Sequence, residues 1–225
     1  MRIAKFFHPL FYSVLLVIII NSSTALGETV ILRPSGLAET SWYEYNGVWY
    51  PDFTVKTGNT WATALDTNDY DSSYAKACCG GPTKYFYAAL DNPQGFDENT
   101  IILSIQVTVI GRYLTTPILI DPTPAEGDID IGFRTGGTGS TTVKELQHHL
   151  NTPLGTYITA TSKEYTKDPN GGELDINDIN NLEIFVQRNI AGAYQLRVTQ
   201  VYATVNYMTK TNLVPIYELL LKKKL

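Results

Sequence analysis

Cysteine is nearly absent from this sequence: there are two in 225 residues, and they are neighbours, Cys78 and Cys79. Adjacent residues cannot close a loop, and their Cα atoms lie closer than ordinary disulfide geometry allows. A fold stapled by disulfides is therefore excluded. The pair reads as two small apolar residues in or near a strand, or as a bridge between molecules in an assembly. A zinc-type site is disfavoured, because no second cysteine pair exists and His148-His149 lie far away in sequence. The chain also lacks Gly-x-Ser-x-Gly, His-Glu-x-x-His and a phosphate-binding loop. Neither an internal repeat nor a low-complexity tract is present.

Positive charge is scarce too, with 17 Lys+Arg against 22 Asp+Glu and a formal charge of −5. Nucleic-acid binding rests on Lys and Arg meeting phosphates, so this balance disfavours it. It suits cation binding or plain solubility. Tyrosine is abundant, 15 residues, and tyrosine fits pleated surfaces and extracellular interfaces.

The long apolar run stands at the start. Arg2 and Lys5 form a basic opening, residues 10–20 are apolar, and Ser22-Ser-Thr-Ala-Leu-Gly27 is a small-residue exit. This is the anatomy of a secretory signal peptide over residues 1–27. An uncleaved anchor is the alternative, although the run is short for a span. Removing Arg2 and Lys5 leaves 15 cations against 22 anions, a balance of −7. Residues 28–208 suffice for one sandwich with a full core.

The mature chain alternates with the period of half-buried strands. Ile101, Leu103, Ile105, Val107 and Val109 share one parity, and Ile129, Ile131 and Phe133 share another set. Residues 30–32, 61–65, 74–79, 85–90 and 157–161 also read as strands, with Arg33-Pro-Ser-Gly36 ending the first. Residues 141–150 are ambiguous between helix and strand. Asp175-Ile-Asn-Asp178 reads as a capped first helical turn. The chain closes on an expected hairpin, residues 182–207. In its second strand Leu196 and Val198 have one parity, while Val201, Ala203, Val205 and Tyr207 have the other. A one-residue slip would export the core face. A β-bulge near Thr199-Gln200, or a bend there into the other sheet, is expected. Many short strands between turn signals predict an all-β antiparallel sandwich with one or two short helical turns. Residues 209–225 form a separate tail: a loose end, a strand added to a neighbour, or an anchor to acidic lipid.

Several stretches come in a recognisable order: Leu32-Arg-Pro-Ser-Gly36, Trp42, Asp66-x-x-Asp69-x-Asp71-Ser-Ser-Tyr74, residues 128–134, Gly172-x-x-Asp175-Ile-Asn-Asp178-Ile-Asn-Asn-Leu182-Glu, and Leu196-Arg-Val-Thr-Gln-Val-Tyr202. Together, over residues 30–208, they resemble concanavalin-like jelly-roll modules of secreted, cell-surface and tailed-phage structural proteins. The resemblance implies a jelly-roll β-sandwich. Leu174 stands where it implies a tryptophan. Endo-glucanases of this broad fold carry Glu-x-Asp-x-Glu on one strand. Here the nearest match is Asp128-Ile-Asp130-Ile-Gly132, which lacks the second carboxylate that the two-residue mechanism needs.

Two sets of residues are candidate sites. Trp42, Tyr45, Trp49 and Tyr50 form an aromatic cluster that either stacks on sugar rings or fills the core. Asp66, Asp69 and Asp71, and separately Asp168, Asn170 and Asp175, supply the oxygen ligands that calcium needs. Turn and cap formation accounts for the same residues. The expected function is a non-catalytic, secreted extracellular module acting as a structural or assembly subunit of a cell-surface or filamentous structure, through self-assembly or a cell-surface partner, with or without calcium. A glycan-binding module is the alternative, and a glycoside hydrolase the second. A membrane enters only through the signal peptide or the tail.

Overall fold

A computed structural model describes residues 27–45, 48–51, 53–56, 59–66, 72–80, 84–115, 128–147, 157–189 and 192–210. The expected signal peptide, apart from Gly27, and the expected tail beyond residue 210 lie outside the described residues. In chain order the elements are β1 (Glu28–Leu32), β2 (Pro34–Thr40), β3 (Trp42–Tyr45), β4 (Val48–Pro51), β5 (Phe53–Val55), α1 (Trp61–Asp66), β6 (Ala75–Gly80), β7 (Lys84–Leu90) and β8 (Thr100–Thr115). There follow β9 (Ile129–Arg134), β10 (Val143–Gln147), β11 (Ile158–Thr161), α2 (Ile176–Asn180), β12 (Glu183–Arg188) and β13 (Gly192–Thr209).

Two antiparallel sheets make the sandwich. One has six strands in the order β11-β8-β13-β6-β5, with β1 also on β13. The other has five, β10-β9-β12-β7-β2. Their inner faces meet in one core. Ile105, Val107, Val109, Val201, Ala203 and Val205 line the first sheet, and Phe86, Ile129, Ile131, Phe133, Ile184 and Val186 line the second. Each large side chain buried there contributes about 1.5–3 kcal/mol.

The expected bulge is present. Val198 pairs with Gly111 and Gln200 with Ile110, so Thr199 is the extra residue. Thr199 is fully buried and donates its hydroxyl to the Ser73 carbonyl at 3.1 Å. The bulge keeps Leu196 and Val198 inside along with Val201, Ala203 and Val205, and all five are fully buried. The strand stays in one sheet throughout.

Four readings are corrected. The closing hairpin does not exist: β12 pairs with β7 and β9, and β13 pairs with β1, β6 and β8. The chain crosses between layers there, a step that strand periodicity cannot show. Residues 61–65 are helical because Thr60 caps them. Its Oγ1 accepts from the Thr63 N–H at 3.2 Å, and the Thr63 hydroxyl oxygen accepts from the Thr60 N–H at 2.9 Å. Ala64 and Leu65 then bury against the core. Pro34 opens β2 instead of ending β1, which suits an edge strand that needs no donor at its first residue. Finally, Ile102 is buried where Ile101 and Leu103 are only half-buried. A second register shift, Asn206 on Ser104 but Tyr207 on Ile102, exchanges the parity at Leu103. The ambiguous segment forms β10, and Asp175 caps α2 in a reciprocal box with Asp178.

Candidate functional site

An antiparallel sheet with one buried face normally presents alternating polar residues on the other. The outer face of the five-stranded sheet departs from this. Parity sends Phe86, Ala88, Ile184 and Val186 to the core and Tyr85, Tyr87, Glu183, Phe185 and Gln187 outward. The register then sets Glu39, Tyr87, Phe185, Gly132 and Lys144 in one row across β2, β7, β12, β9 and β10. In the next row Arg134 stands directly opposite Glu183.

Three rings form a connected group, of which Phe185 and Tyr87 are buried and Tyr85 is half-exposed. Tyr87 and Phe185 have centroids 5.1 Å apart, Tyr85 and Tyr87 5.8 Å, and Tyr85 and Phe185 6.1 Å. Cations lie on two of them. The Arg134 guanidinium sits 3.6 Å from the Tyr87 centroid and the Lys144 ammonium 4.5 Å from that of Phe185. Such cation–π contacts hold the cation heads in place. Gly132 makes room for this. A Cβ there would fall 1.8 Å from the Val143 carbonyl oxygen, so β10 could not lie so close to β9.

Arg134 is the hub. Its Nε donates to Glu183 Oε2 at 2.5 Å and its Nη1 to Glu39 Oε2 at 2.8 Å. Glu39 spends its other oxygen on the Tyr85 hydroxyl at 3.0 Å. The Tyr87 hydroxyl meets Thr142 Oγ1 at 2.7 Å. Arg134 is almost wholly buried, and its Nη2 has no hydrogen-bond partner among the described residues. Burial alone would lower the Arg134 pKa, but the hydrogen bonds it donates to both glutamates outweigh this and the net shift is upward. Burial first, and Glu39 second, push the Tyr85 hydroxyl up. Asp130, further along β9, is raised chiefly by burial, with Lys144 and Asn189 opposing. Both glutamates are bound to Arg134, so a buried guanidinium fixes two part-exposed carboxylates beside the half-exposed Tyr85 ring.

The residues singled out from sequence fall elsewhere. Trp42, Tyr45, Trp49 and Tyr50 lie on the β3–β4 hairpin, whose register pairs Trp42 with Pro51, Glu44 with Trp49, Tyr43 with Tyr50 and Tyr45 with Val48. Trp42 and Trp49 thus take one parity, and Tyr45 and Tyr50 the other. Asp69 and Asp71 lie outside the described residues. Asp66 ends α1, with its carboxylate 3.9 Å from Arg33 Nε. In the second acidic set the oxygens serve turns and caps. Asp168 accepts from the Thr135 hydroxyl at 2.5 Å and from the Asn170 N–H at 2.8 Å, and Asp175 accepts from the Asp178 N–H at 3.0 Å. Among the described residues no three His, Cys, Asp or Glu converge on a metal position. The outer-face aromatics are not among the residues that the sequence singles out, because they sit in strands whose alternation also marks a core. Their signal was present: Tyr85-Phe86-Tyr87 and Ile184-Phe185-Val186 are apolar on both parities, which one buried face does not require.

The hydrogen bonds on Asp168 make an acid-sensitive contact. Burial raises its pKa, but the bonds from Thr135 and Asn170 win and the net shift is downward. A carboxyl depressed in the folded state adds stability above the ordinary carboxylate range and loses it as pH falls through the folded value. Asp168→Asn is expected to cost about 1 kcal/mol at pH 7 and to flatten the fall in Tm between pH 5 and 3, measured by calorimetry.

No protein-family model matches the sequence, and no curated protein matches it. Among solved structures, the chain is similar to the carbohydrate-binding module TmCBM61 in complex with beta-1,4-galactotriose, at 8% identity over 76% of this chain and 89% of that one, TM-score 0.40. It is similar to the K3 cleaved adhesin domain of Lys-gingipain from Porphyromonas gingivalis, at 10% identity over 79% and 98%, TM-score 0.38. It is also similar to the enzymatically active domain of tailspike protein 4 from bacteriophage CBA120, at 9% identity over 80% and 19%, TM-score 0.35. A two-sheet β-sandwich hosts many unrelated functions, so the chain's own residues must carry the functional argument.

Proposed function

We propose that this chain is a non-catalytic, exported module that binds carbohydrate on the outer face of its five-stranded sheet. The observation that carries the reading is the joined set of Tyr85, Tyr87 and Phe185 with Arg134, Glu39 and Glu183, on a face that a simple sandwich would leave to solvent. A sugar offers C–H faces and hydroxyls together. Tyr87, Phe185 and Arg134 are almost wholly buried and form the floor, so the groups within a sugar's reach are the half-exposed Tyr85 ring, the exposed Lys144 and the part-exposed carboxylates of Glu39 and Glu183. Tyr85 is the half-exposed ring and the point of entry. Tyr85→Ala is expected to weaken retention on a neutral polysaccharide about ten-fold. Affinity gel electrophoresis over a panel of plant and microbial glycans tests this. No retention by any of them would remove the reading.

Self-assembly is the second reading, favoured by β1. This strand pairs on one side with β13, and its Ile31 is the large apolar side chain most exposed among the described residues, at 50%. An open edge with an apolar side chain invites another strand. Ile31→Lys is expected to abolish any oligomer seen by light scattering. A wild-type monomer at every concentration removes this second reading.

A further inference from the structure

Where β1, β13 and β8 run side by side, the outer face of the six-stranded sheet carries little charge and several apolar side chains that the core does not take up. The register sets Thr29, Asn206 and Ser104 in one row, Ile31, Thr204 and Gln106 in the next, and Tyr202 beside Thr108 after them. Their chain neighbours Val30, Ile105, Val107, Ala203 and Val205 belong to the core or pack on it, so these rows face outward. Past Asn206, Met208 stands opposite Ile101, and the register shift there makes Leu103 the extra residue of β8. Ile31, Ile101, Leu103 and Met208 belong neither to the core cluster nor to the side chains packed against it. Ile31 is 50% exposed, and the other three are half-buried.

The polar groups of this face bond to one another within its plane. Thr29 Oγ1 donates to Asn206 Oδ1 at 2.8 Å, and Asn206 Nδ2 donates to Ser104 Oγ at 2.9 Å. Gln106 Nε2 donates to the Ser162 carbonyl at 2.9 Å, and the Thr108 and Thr161 hydroxyls lie 3.3 Å apart. Covering a polar group that already has its partner costs far less than stranding one. Charge enters at the margin. Glu28 and Glu164 stand with Leu103 and Ser104 around a shallow depression, and Arg33 lies against the Tyr202 ring.

We propose that this face docks the same face of a second copy of the chain, sheet against sheet. The proposal rests on the self-assembly reading and specifies its contact, a face instead of the β1 edge. Packed sheets lie about 10 Å apart with their strands within about 30° of each other. From Tyr202 to Met208, and from β1 across to Thr161 and Thr166, strand geometry makes the patch roughly 27 by 19 Å. Two copies would remove about 1,000 Å² from water, the size at which a specific contact begins. A charged partner finds little to pair with here, whereas a second copy brings the same apolar side chains and the same satisfied hydroxyls and amides. The formal charge of −5 on each copy opposes association, but the rows hold no charge inside the margin, and salt screens distant charges beyond about 8 Å.

Sedimentation velocity on the exported protein at graded concentrations is the test. The expected result is a reversible dimer that tightens as salt rises, since screening relieves the repulsion between copies. Thr204→Arg sets a charge in the middle of the face and is expected to weaken association at least ten-fold, with Tm close to wild type. Met208→Lys, at the end of the patch, is expected to weaken it several-fold and decides the matter if Thr204→Arg fails to fold. Glu164→Gln is expected to tighten the dimer, because each copy loses a marginal carboxylate. A wild-type monomer at every concentration overturns the proposal and the self-assembly reading together. A dimer that both Thr204→Arg and Met208→Lys leave intact overturns the face alone and leaves the β1 edge as the contact. A chain that stays monomeric, and whose retention on a neutral polysaccharide is lost in Thr204→Arg, would give the face to a glycan instead.

Discussion

Arg134→Ala is expected to lower unfolding stability by about 3 kcal/mol, the low end for breaking a buried ion pair. In a domain of this size that is a fall in Tm of about 6–12 °C. The arginine side chain is 3% exposed, whereas Glu183 is 16% and Glu39 27%, so water relieves part of the cost once the cation is gone. What remains is two carboxylates, on β2 and β12 with β7 between them, that have lost their shared cation, and a Tyr87 ring stripped of the group that covers it. The double variant Arg134→Leu with Glu183→Leu should recover more than half of the loss, because it removes a stranded charge along with its partner. A fall of less than 2 °C in the single variant would mean that the network is solvated and holds little. Calorimetry on both variants decides it.

Gly132→Ala is the second large expectation. A methyl group at this position meets the Val143 carbonyl oxygen at 1.8 Å, and the obstacle is backbone, which cannot rotate away. Overpacking of this kind costs about 3 kcal/mol or more unless an element moves. The element freest to move is β10, an edge strand that among the described residues has one strand neighbour, β9. Its displacement would carry Lys144 off the Phe185 ring and open the outer face. Amide exchange should therefore quicken through Val143–Gln147 before it does in the β9–β12 pair. Glycan retention should fall along with it. Unchanged exchange in β10 would mean that the strand tolerates the methyl group and that the close approach is not what seats Lys144.

The two expectations share a cause. The outer face is built by register: Arg134 meets Glu183, and Phe185 meets Gly132, because β9 and β12 pair in one alignment. Slipping that alignment by one residue would turn Phe185 toward the core and Ile184 toward the face. The same pairing that packs Ile131 and Ile184 inside therefore assembles the charged and aromatic group outside. Core stability and the geometry of the outer face are coupled here through the strands they share.

The β class and much of the core were legible in the chain itself. Residue alternation placed Ile105, Val107, Ile129, Ile131 and Phe133 inside, and the parity switch in β13 called for the bulge found at Thr199. These are local matters: a strand shows its buried face every second residue, and a broken alternation needs an extra residue. The helix at Trp61–Asp66 escaped because six residues are too few to display a 3.6 period, and its cap is an unremarkable pair of threonines. What only the tertiary structure decided is which strands meet. The last two strands parted into opposite sheets, Glu39 came beside Arg134 across 95 residues, and Ile31, Thr204 and Gln106 fell into line. Alternation tells each strand which side to bury and is silent on its neighbours. Partners are chosen by the packing of the whole core, and both candidate binding faces consist of partners.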